Sequence, residues 1–213
     1  MSVATPPVHQ YSKGRTEAFT DGVTAIVITL LVLELSVAAG SEEDLLQAIL
    51  DQWPSYLAYF TSFFTVGAFW LRHHAMTNAM RGVDAGFIRL NLLAIFFLSF
   101  LPFPTKLVAE YLNAENATRV ATVFYGLVLL LTAVSFRILW LHVARNRELL
   151  RADISDERVE ELSESLTPSL IGYVVAILIG LALPHLAVAL YFIVAVLIAL
   201  PIGTLRAALQ NKT

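Results

Sequence analysis

The chain has 213 residues, of which 57% are hydrophobic and only 15% are charged, and its mean hydropathy is +0.70. This balance excludes an ordinary soluble protein and predicts an all-α integral membrane protein. The absence of cysteine excludes disulfides, thiolate chemistry and cysteine-ligated metals. The formal net charge of −3 excludes little, so the distribution of the charges carries the information.

Six apolar segments follow a polar arm of residues 1–12, and each approaches the roughly 20 residues that cross a bilayer core of about 30 Å. The third segment is expected to end at Pro102-Phe-Pro104, and the last two are joined by a turn at Leu183-Pro184-His185 that makes them an antiparallel pair. We therefore predict one transmembrane domain, 13–206, and a tail, 207–213. Its spans are about 18–38, 54–75, 84–103, 119–142, 167–183 and 186–205.

The basic residues orient this domain. Of the 14 Lys and Arg residues, all but Lys106 and Arg119 fall on the side that holds both termini. Because basic residues concentrate in cytoplasmic loops, we predict six spans with both termini in the cytoplasm. The connection 143–166 on that side is charged, with apolar residues at helical spacing, so it is expected to form a short surface helix. The sequence has no Gly-rich phosphate loop and no basic patch interleaved with aromatics, which argues against nucleotide or nucleic-acid binding.

The first span begins among charged groups, although ionisable side chains are costly at bilayer depth. Its apolar residues follow a heptad-like spacing, which we call the α1 seam: Phe19, Val23, Ile26, Leu30, Leu33 and Val37. Such a seam is typical of helices that pack side by side, but contact with lipid or ordinary packing inside the bundle explains it equally well. Thr29 beside the seam offers a hydroxyl at membrane depth, and the common alternative is a bond to its own helix backbone.

Asp21 and Arg15 are expected to find partners on a neighbouring helix, because they are six residues apart and point in somewhat different directions. Candidate partners lie at the end of the second span, where Trp70 and His74 are one turn apart and share a face. Adjacent His73 and His74 suit a shared metal poorly, since they point about 100° apart. A hydrogen-bond network is favoured over a metal site, and anchoring of Trp70 at the membrane interface is the remaining alternative.

These residues carry a resemblance to a known family. The pattern Arg15-x-x-x-Phe19-Thr20-Asp21 and the apolar run after it resemble the first-helix signature of the transmembrane protein 175 family, potassium-permeable channels of endolysosomes with prokaryotic relatives. The family motif usually has Ser where this chain has Thr20, which keeps the hydroxyl. The spacing Trp70-x-x-x-His74 is similar to the second helix of the family.

The resemblance implies a homotetrameric channel in a bacterial plasma membrane, without a carbonyl selectivity-filter loop, an enzymatic activity, a cofactor or a resident metal. In such a channel the first helices line a central pore through which K⁺ passes. Ile26 would form the constriction, Leu30 and Leu33 further layers, and Thr29 would assist selectivity. A network at the cytoplasmic end would consist of Arg15, Phe19, Asp21, Trp70 and His74.

A ring of isoleucines can act as a hydrophobic gate, because a narrow apolar constriction excludes water. Potassium holds its hydration shell less tightly than sodium, so a modest preference for K⁺ is expected. Three acidic residues of the first outer loop either concentrate cations or are simply solvated: Glu42, Glu43 and Asp44. The main alternative function is a proton- or ion-coupled carrier that uses Asp21 and His74 as a relay. An intramembrane enzyme is a weaker one, since no nucleophile–base pair or metal set is evident.

Overall fold

The computed structural model describes residues 11–36, 44–114 and 117–199. Within these ranges the chain is helical, with two isolated β-bridges, Tyr11–Val83 and Met80–Leu150. A 3₁₀ turn covers Arg147–Leu149. The α-helices are α1 (Lys13–Val32), α2 (Leu45–Asp51), α3 (Trp53–Asn78), α4 (Ala85–Phe100), α5 (Pro102–Tyr111), α6 (Ala117–Arg145), α7 (Asp156–Ser165), α8 (Thr167–Gly180) and α9 (Pro184–Ala199).

Side-chain caps and prolines set where several helices begin. Ser12 caps α1, Asp84 caps α4 and Ser155 caps α7, each by accepting a hydrogen bond from a backbone N–H of the first turn. Proline occupies the first turn of α3, α5 and α8, where a missing N–H costs nothing. Short polar residues and prolines thus fix the ends of helices whose interiors are apolar.

One helix ends and another begins at Pro102-Phe-Pro104, where the third span was expected to end. Helix α4 ends at Phe100, but α5 begins at Pro102 and continues to Tyr111 with only Leu101 between them. The backbone of Leu101 stays helical, and its carbonyl accepts a bond from the N–H of Thr105 at 3.2 Å. Proline interrupts the hydrogen-bond ladder of the preceding helix but is well suited to the first turn of a new one. The prolines therefore start a new helix, α5, directly after the place where α4 ends.

Helices α3 and α6 hold the bundle together. Helix α3 packs against α1, α5 and α9, while α6 packs against α4, α5 and α8. Ser62 of α3 lies between them, with its hydroxyl 2.7 Å from Thr105 Oγ1 and 2.9 Å from the Tyr125 hydroxyl of α6. The expected tight turn between the last two helices is confirmed, since α8 ends at Gly180 and α9 begins at Pro184.

Helix α7 confirms the expected short helix in the connection 143–166. Its Val159 is buried, and its last turn is bound to the bundle by hydrogen bonds. The Trp140 indole N–H donates to Ser163 Oγ at 2.7 Å, and the guanidinium groups of Arg137 and Arg72 donate to the carbonyls of Ser163 and Ser165. Cationic side chains at the carboxyl end of a helix satisfy carbonyls that have no partner within the helix.

Three helical stretches of the described residues are long and apolar enough to cross a membrane: Ala85–Tyr111, Ala117–Arg145 and Asp156–Gly180. Helix α9 is apolar but shorter. Helix α1 carries four charged residues in its first nine positions, which lowers its apolar character. The count of six spans therefore stays a prediction.

Candidate functional site

Helix α1 has two faces of opposite character. Its buried face consists of Thr20, Thr24, Val27 and Leu31, each at most 3% exposed. The hydroxyl of Thr24 donates to the Thr20 carbonyl at 2.8 Å, one turn back along the helix. This face packs against α3 and α4, so these contacts fix the rotation of α1 about its own axis.

The α1 seam lies mostly on the other face. Ile26 is 59% exposed and Leu33 72% exposed, and Phe19 and Leu30 are exposed as well. Val23 is only partly exposed and contacts the core, while Val37 lies outside the described residues. Within a single chain, large apolar side chains therefore project away from the bundle along about four turns of α1.

Thr29 also lies on the exposed face of α1. Its hydroxyl donates to the Ile26 carbonyl at 2.8 Å, so the expected local alternative, a bond to the backbone of its own helix, is confirmed. The bond uses the hydroxyl proton and leaves the lone pairs of the oxygen available as acceptors.

The expected bond between Asp21 and Trp70 is present. The Trp70 indole N–H donates to Asp21 Oδ1 at 2.9 Å and ties α1 to α3. The imidazole of His74 stacks on the Trp70 indole, with ring centroids 5.7 Å apart. Trp70 and His74 were both expected to bond to Asp21. Among the described residues only Trp70 does so, because the imidazole of His74 lies on the face of the indole.

In the part of the chain that the structure describes, Arg15 and Phe19 make no contact that joins them to this group. Both side chains are exposed, and the polar contact of Arg15 is its backbone N–H, which donates to the capping hydroxyl of Ser12 at 3.4 Å. They line an open cleft between α1 and α4 together with Ile88 and Leu92. Their part in a network at this end of α1 remains a prediction.

A second, buried network was not predicted from the sequence. His73 Nε2 lies 3.0 Å from Asn91 Oδ1, and Asn91 Nδ2 donates to Thr20 Oγ1 at 2.8 Å. Each of these three residues is at most 2% exposed. The network joins α1, α3 and α4, and it gives the hydroxyl of Thr20 a role as the acceptor for Asn91. The sequence feature that could have indicated this network is Asn91, the only side-chain amide in the apolar helix α4.

The adjacent histidines thus serve two different networks. His73 points into the bundle toward Asn91, whereas His74 stacks on Trp70. Their divergence follows from the 100° rotation per residue of a helix and explains why they cannot share an ion. Within the described ranges, no group of three or more His, Cys, Asp or Glu residues has a geometry that holds a metal ion.

The acidic residues expected near the outer mouth fall largely outside the described part of the chain. Glu42 and Glu43 lie outside the described residues, and Asp44 caps α2 by accepting from the Gln47 N–H at 3.2 Å. A different group occupies this end of the bundle, where Lys106 Nζ lies 3.6 Å from Glu34 Oε2 and 3.9 Å from Glu110 Oε1.

Comparison with known proteins agrees with this arrangement of helices. A sequence profile of the family described as "Endosomal/lysosomal potassium channel TMEM175" matches residues 15–102. A potassium channel of Chamaesiphon minutus is 37% identical over 196 residues, which cover 90% of this chain and 95% of the relative. This chain belongs to the TMEM175 family. The family consists of channels, so the protein is not an enzyme, and its apolar helices are those of an integral membrane protein.

The similarity extends over most of the chain in sequence and in structure. A potassium channel of Streptomyces collinus is 42% identical over 137 residues, which cover 64% of this chain and 66% of the relative. The crystal structure of a lysosomal potassium-selective TMEM175 homologue from Chamaesiphon minutus matches with a TM-score of 0.79 and 36% identity, over 88% of this chain and 96% of that chain. The TMEM175 profile spans α1, α3 and α4, the helices that the two networks connect.

Proposed function

We propose that this protein is a potassium-permeable channel in which the α1 helices of four copies line a central pore. The main support is the exposed apolar face of α1, where Ile26 is 59% exposed. The other face of the same helix is held by buried contacts. The relatives from Chamaesiphon minutus and Streptomyces collinus are named potassium channels. Four copies arranged around an axis would bring their α1 seams together and remove these side chains from the surface of the single chain.

The pore has a hydrophobic constriction formed by the four Ile26 side chains. Leu30 and Leu33 form further apolar layers about one and two turns along the helix. An apolar constriction excludes water when it is narrow, so the ring acts as a gate. Ions that cross a slightly wider ring lose part of their hydration shell, and K⁺ loses it more readily than Na⁺. The selectivity for K⁺ is therefore modest. The hydroxyl oxygen of Thr29, beside the constriction, is available to approach the passing cation.

The protein crosses the plasma membrane of a bacterium six times, with both termini in the cytoplasm. The distribution of Lys and Arg supports this orientation. The basic end of the bundle, where Lys13 donates to the Met80 carbonyl at 2.9 Å and Arg81 to the Glu148 carbonyl at 2.6 Å, is then cytoplasmic. The opposite end of α1, which carries Leu33 and Glu34, faces outward.

A comparison of two neighbouring residues tests the pore. Ile26→Ala widens the constriction, so we expect larger single-channel currents in liposomes and a lower K⁺ to Na⁺ permeability ratio from reversal potentials. Val27→Ala is the matched control, because Val27 is 1% exposed and points away from the proposed pore. Permeation that is unchanged by Ile26→Ala would remove Ile26 from the constriction.

The same preparation tests the carrier alternative. A channel gives unitary currents that follow the electrochemical gradient of K⁺, whereas a coupled carrier moves ions in a fixed ratio. Flux that is strictly stoichiometric with protons would contradict the channel. The geometry favours the channel, because Asp21 is bonded to Trp70 and the described contacts place no direct bond between Asp21 and His74 that could pass a proton.

A further inference from the structure

The C-terminal end of α1 lies against α5. Helix α1 ends at Val32, and Glu34 follows within the same turn, with its N–H bonded to the Leu31 carbonyl at 3.3 Å. Lys106 of α5 lies 3.6 Å from the Glu34 carboxylate and 3.9 Å from that of Glu110, one turn further along α5. One ammonium group is therefore shared by two carboxylates.

These groups line an open cleft of about 450 Å³ beside Leu33. Its ionisable lining residues among the described ones are Glu34, Asp51, Glu110 and Lys106, which gives three carboxylates and one ammonium group. Leu33 is 72% exposed and is the outermost apolar layer of the proposed pore. A cation that approaches this layer thus passes close to a cleft whose negative charge is partly cancelled by a lysine.

The exposure of the pair determines how it can act. The side chain of Lys106 is 51% exposed and that of Glu34 25% exposed. A partly solvated pair of this kind contributes little to folding. A change in the net charge of the cleft nevertheless acts on passing ions over about 30 Å at 0.01 M salt and over only about 3 Å at 1 M salt.

We propose that Lys106 limits the access of cations to the pore by neutralising Glu34 at the outer end of α1. This proposal rests on the pore-lining role proposed for α1. Lys106 is then a residue that tunes the conductance from the entrance, and Glu34 is the carboxylate that attracts cations when the lysine is absent. The alternative role for the pair is purely structural, as a contact that ties α1 to α5.

Charge-changing variants separate these roles. Single-channel conductance would be measured in symmetric KCl at two concentrations. At about 10 mM the electrostatic field of the cleft charges is long-ranged, and at about 1 M it is screened. At the lower concentration we expect Lys106→Gln to raise the conductance about twofold and Glu34→Gln to lower it by a similar factor. At about 1 M both variants should match the unmodified protein, because the added ions screen the change.

Two kinds of control accompany these variants. Lys106→Arg keeps the charge and should conduct like the unmodified protein. Arg119→Gln removes the same charge from an exposed position at the start of α6 that is not among the cleft-lining residues, so its effect at low salt should be smaller. The double variant Glu34→Gln/Lys106→Gln restores the net charge and should bring the conductance back toward the original value.

The outcomes distinguish this inference from the proposed function. An unmodified protein that carries no K⁺ current would overturn the channel itself. A conducting protein in which Lys106→Gln leaves the conductance at low salt unchanged, or changes it equally at both concentrations, would overturn only the role of Lys106. If the conductance of the double variant is as low as that of the less conductive single variant, the pair acts as a structural tie between α1 and α5. That result would overturn the electrostatic role as well.

Discussion

The two faces of α1 differ in the side chains that they carry. The face packed inside the bundle combines the hydroxyls of Thr20 and Thr24 with the apolar Val27 and Leu31, whereas the face that projects from the chain carries large apolar residues such as Ile26 and Leu30. In a membrane, helices gain little from burying apolar groups against each other, since lipid is equally apolar. Hydroxyl groups are therefore found on the packed face, and large apolar residues can occupy the face that meets lipid or another copy.

The largest expected effect tests the polar side of this comparison. Asn91→Leu removes the group that bonds both His73 and Thr20 and leaves two buried polar side chains without that partner. We expect a loss of about 2–4 kcal/mol in the free energy of unfolding. The unsatisfied imidazole of His73 costs roughly 1–3 kcal/mol, and the lost bond to Thr20, whose hydroxyl still donates to the Thr16 carbonyl, costs roughly another 1 kcal/mol. Denaturant unfolding of the protein in detergent measures this loss.

Leu92 provides the matched control for Asn91. It is the next residue of α4 and is 47% exposed, so Leu92→Ala should change the unfolding free energy by less than about 1 kcal/mol. Equal losses for the two variants would mean that the buried network does not fasten α1 to α3 and α4.

An intermediate effect comes from neighbouring residues on opposite faces. Val27→Ala opens a cavity in the packed face, so we expect a loss of about 1–3 kcal/mol in unfolding free energy. Ile26→Ala removes more atoms but from a side chain that is 59% exposed in the single chain, and it should cost the subunit less. Thermal unfolding of subunits dissociated to monomers in detergent tests this order, and the reverse order in the monomer would place Ile26 rather than Val27 in the core.

The smallest effect is expected at the exposed bond between the two helices. Asp21→Asn keeps an oxygen that accepts from the Trp70 indole N–H but removes the negative charge, so we expect a loss of under about 1 kcal/mol in stability. Yield and oligomeric state in detergent should decline more than the K⁺ to Na⁺ permeability ratio. A changed ratio in an intact oligomer would show instead that Asp21 acts on the permeating ions.

Local spacing in the sequence predicted those contacts that depend on one helix at a time. The period of the α1 seam placed Ile26, Leu30 and Leu33 on one face, and the one-turn spacing of Trp70 and His74 placed their rings together. The bond from Trp70 to Asp21 was also predicted, because both residues lie at the same end of predicted adjacent helices. These inferences need only the geometry of a helix and the order of the helices along the chain.

Other contacts depended on how the helices dock. Asn91 could be recognised as an unusual amide in an apolar helix, but its partners His73 and Thr20 are 18 and 71 positions away. Lys106 lies close to Glu34 because a second helix, α5, begins at Pro102, where the sequence predicted only the end of a span. Proline is compatible with the first turn of α5, and α5 packs against α3 and α6.

The sequence by itself determined that the chain is an apolar helical protein with a polar entrance to its first helix, because composition and helical period are local properties. Only the tertiary structure decided which face of α1 is buried, which histidine enters the core and which carboxylate Lys106 neutralises. Each of those outcomes depends on the rotation and depth of one helix against another. Those quantities arise from the packing of side chains far apart along the chain, and no local pattern encodes them.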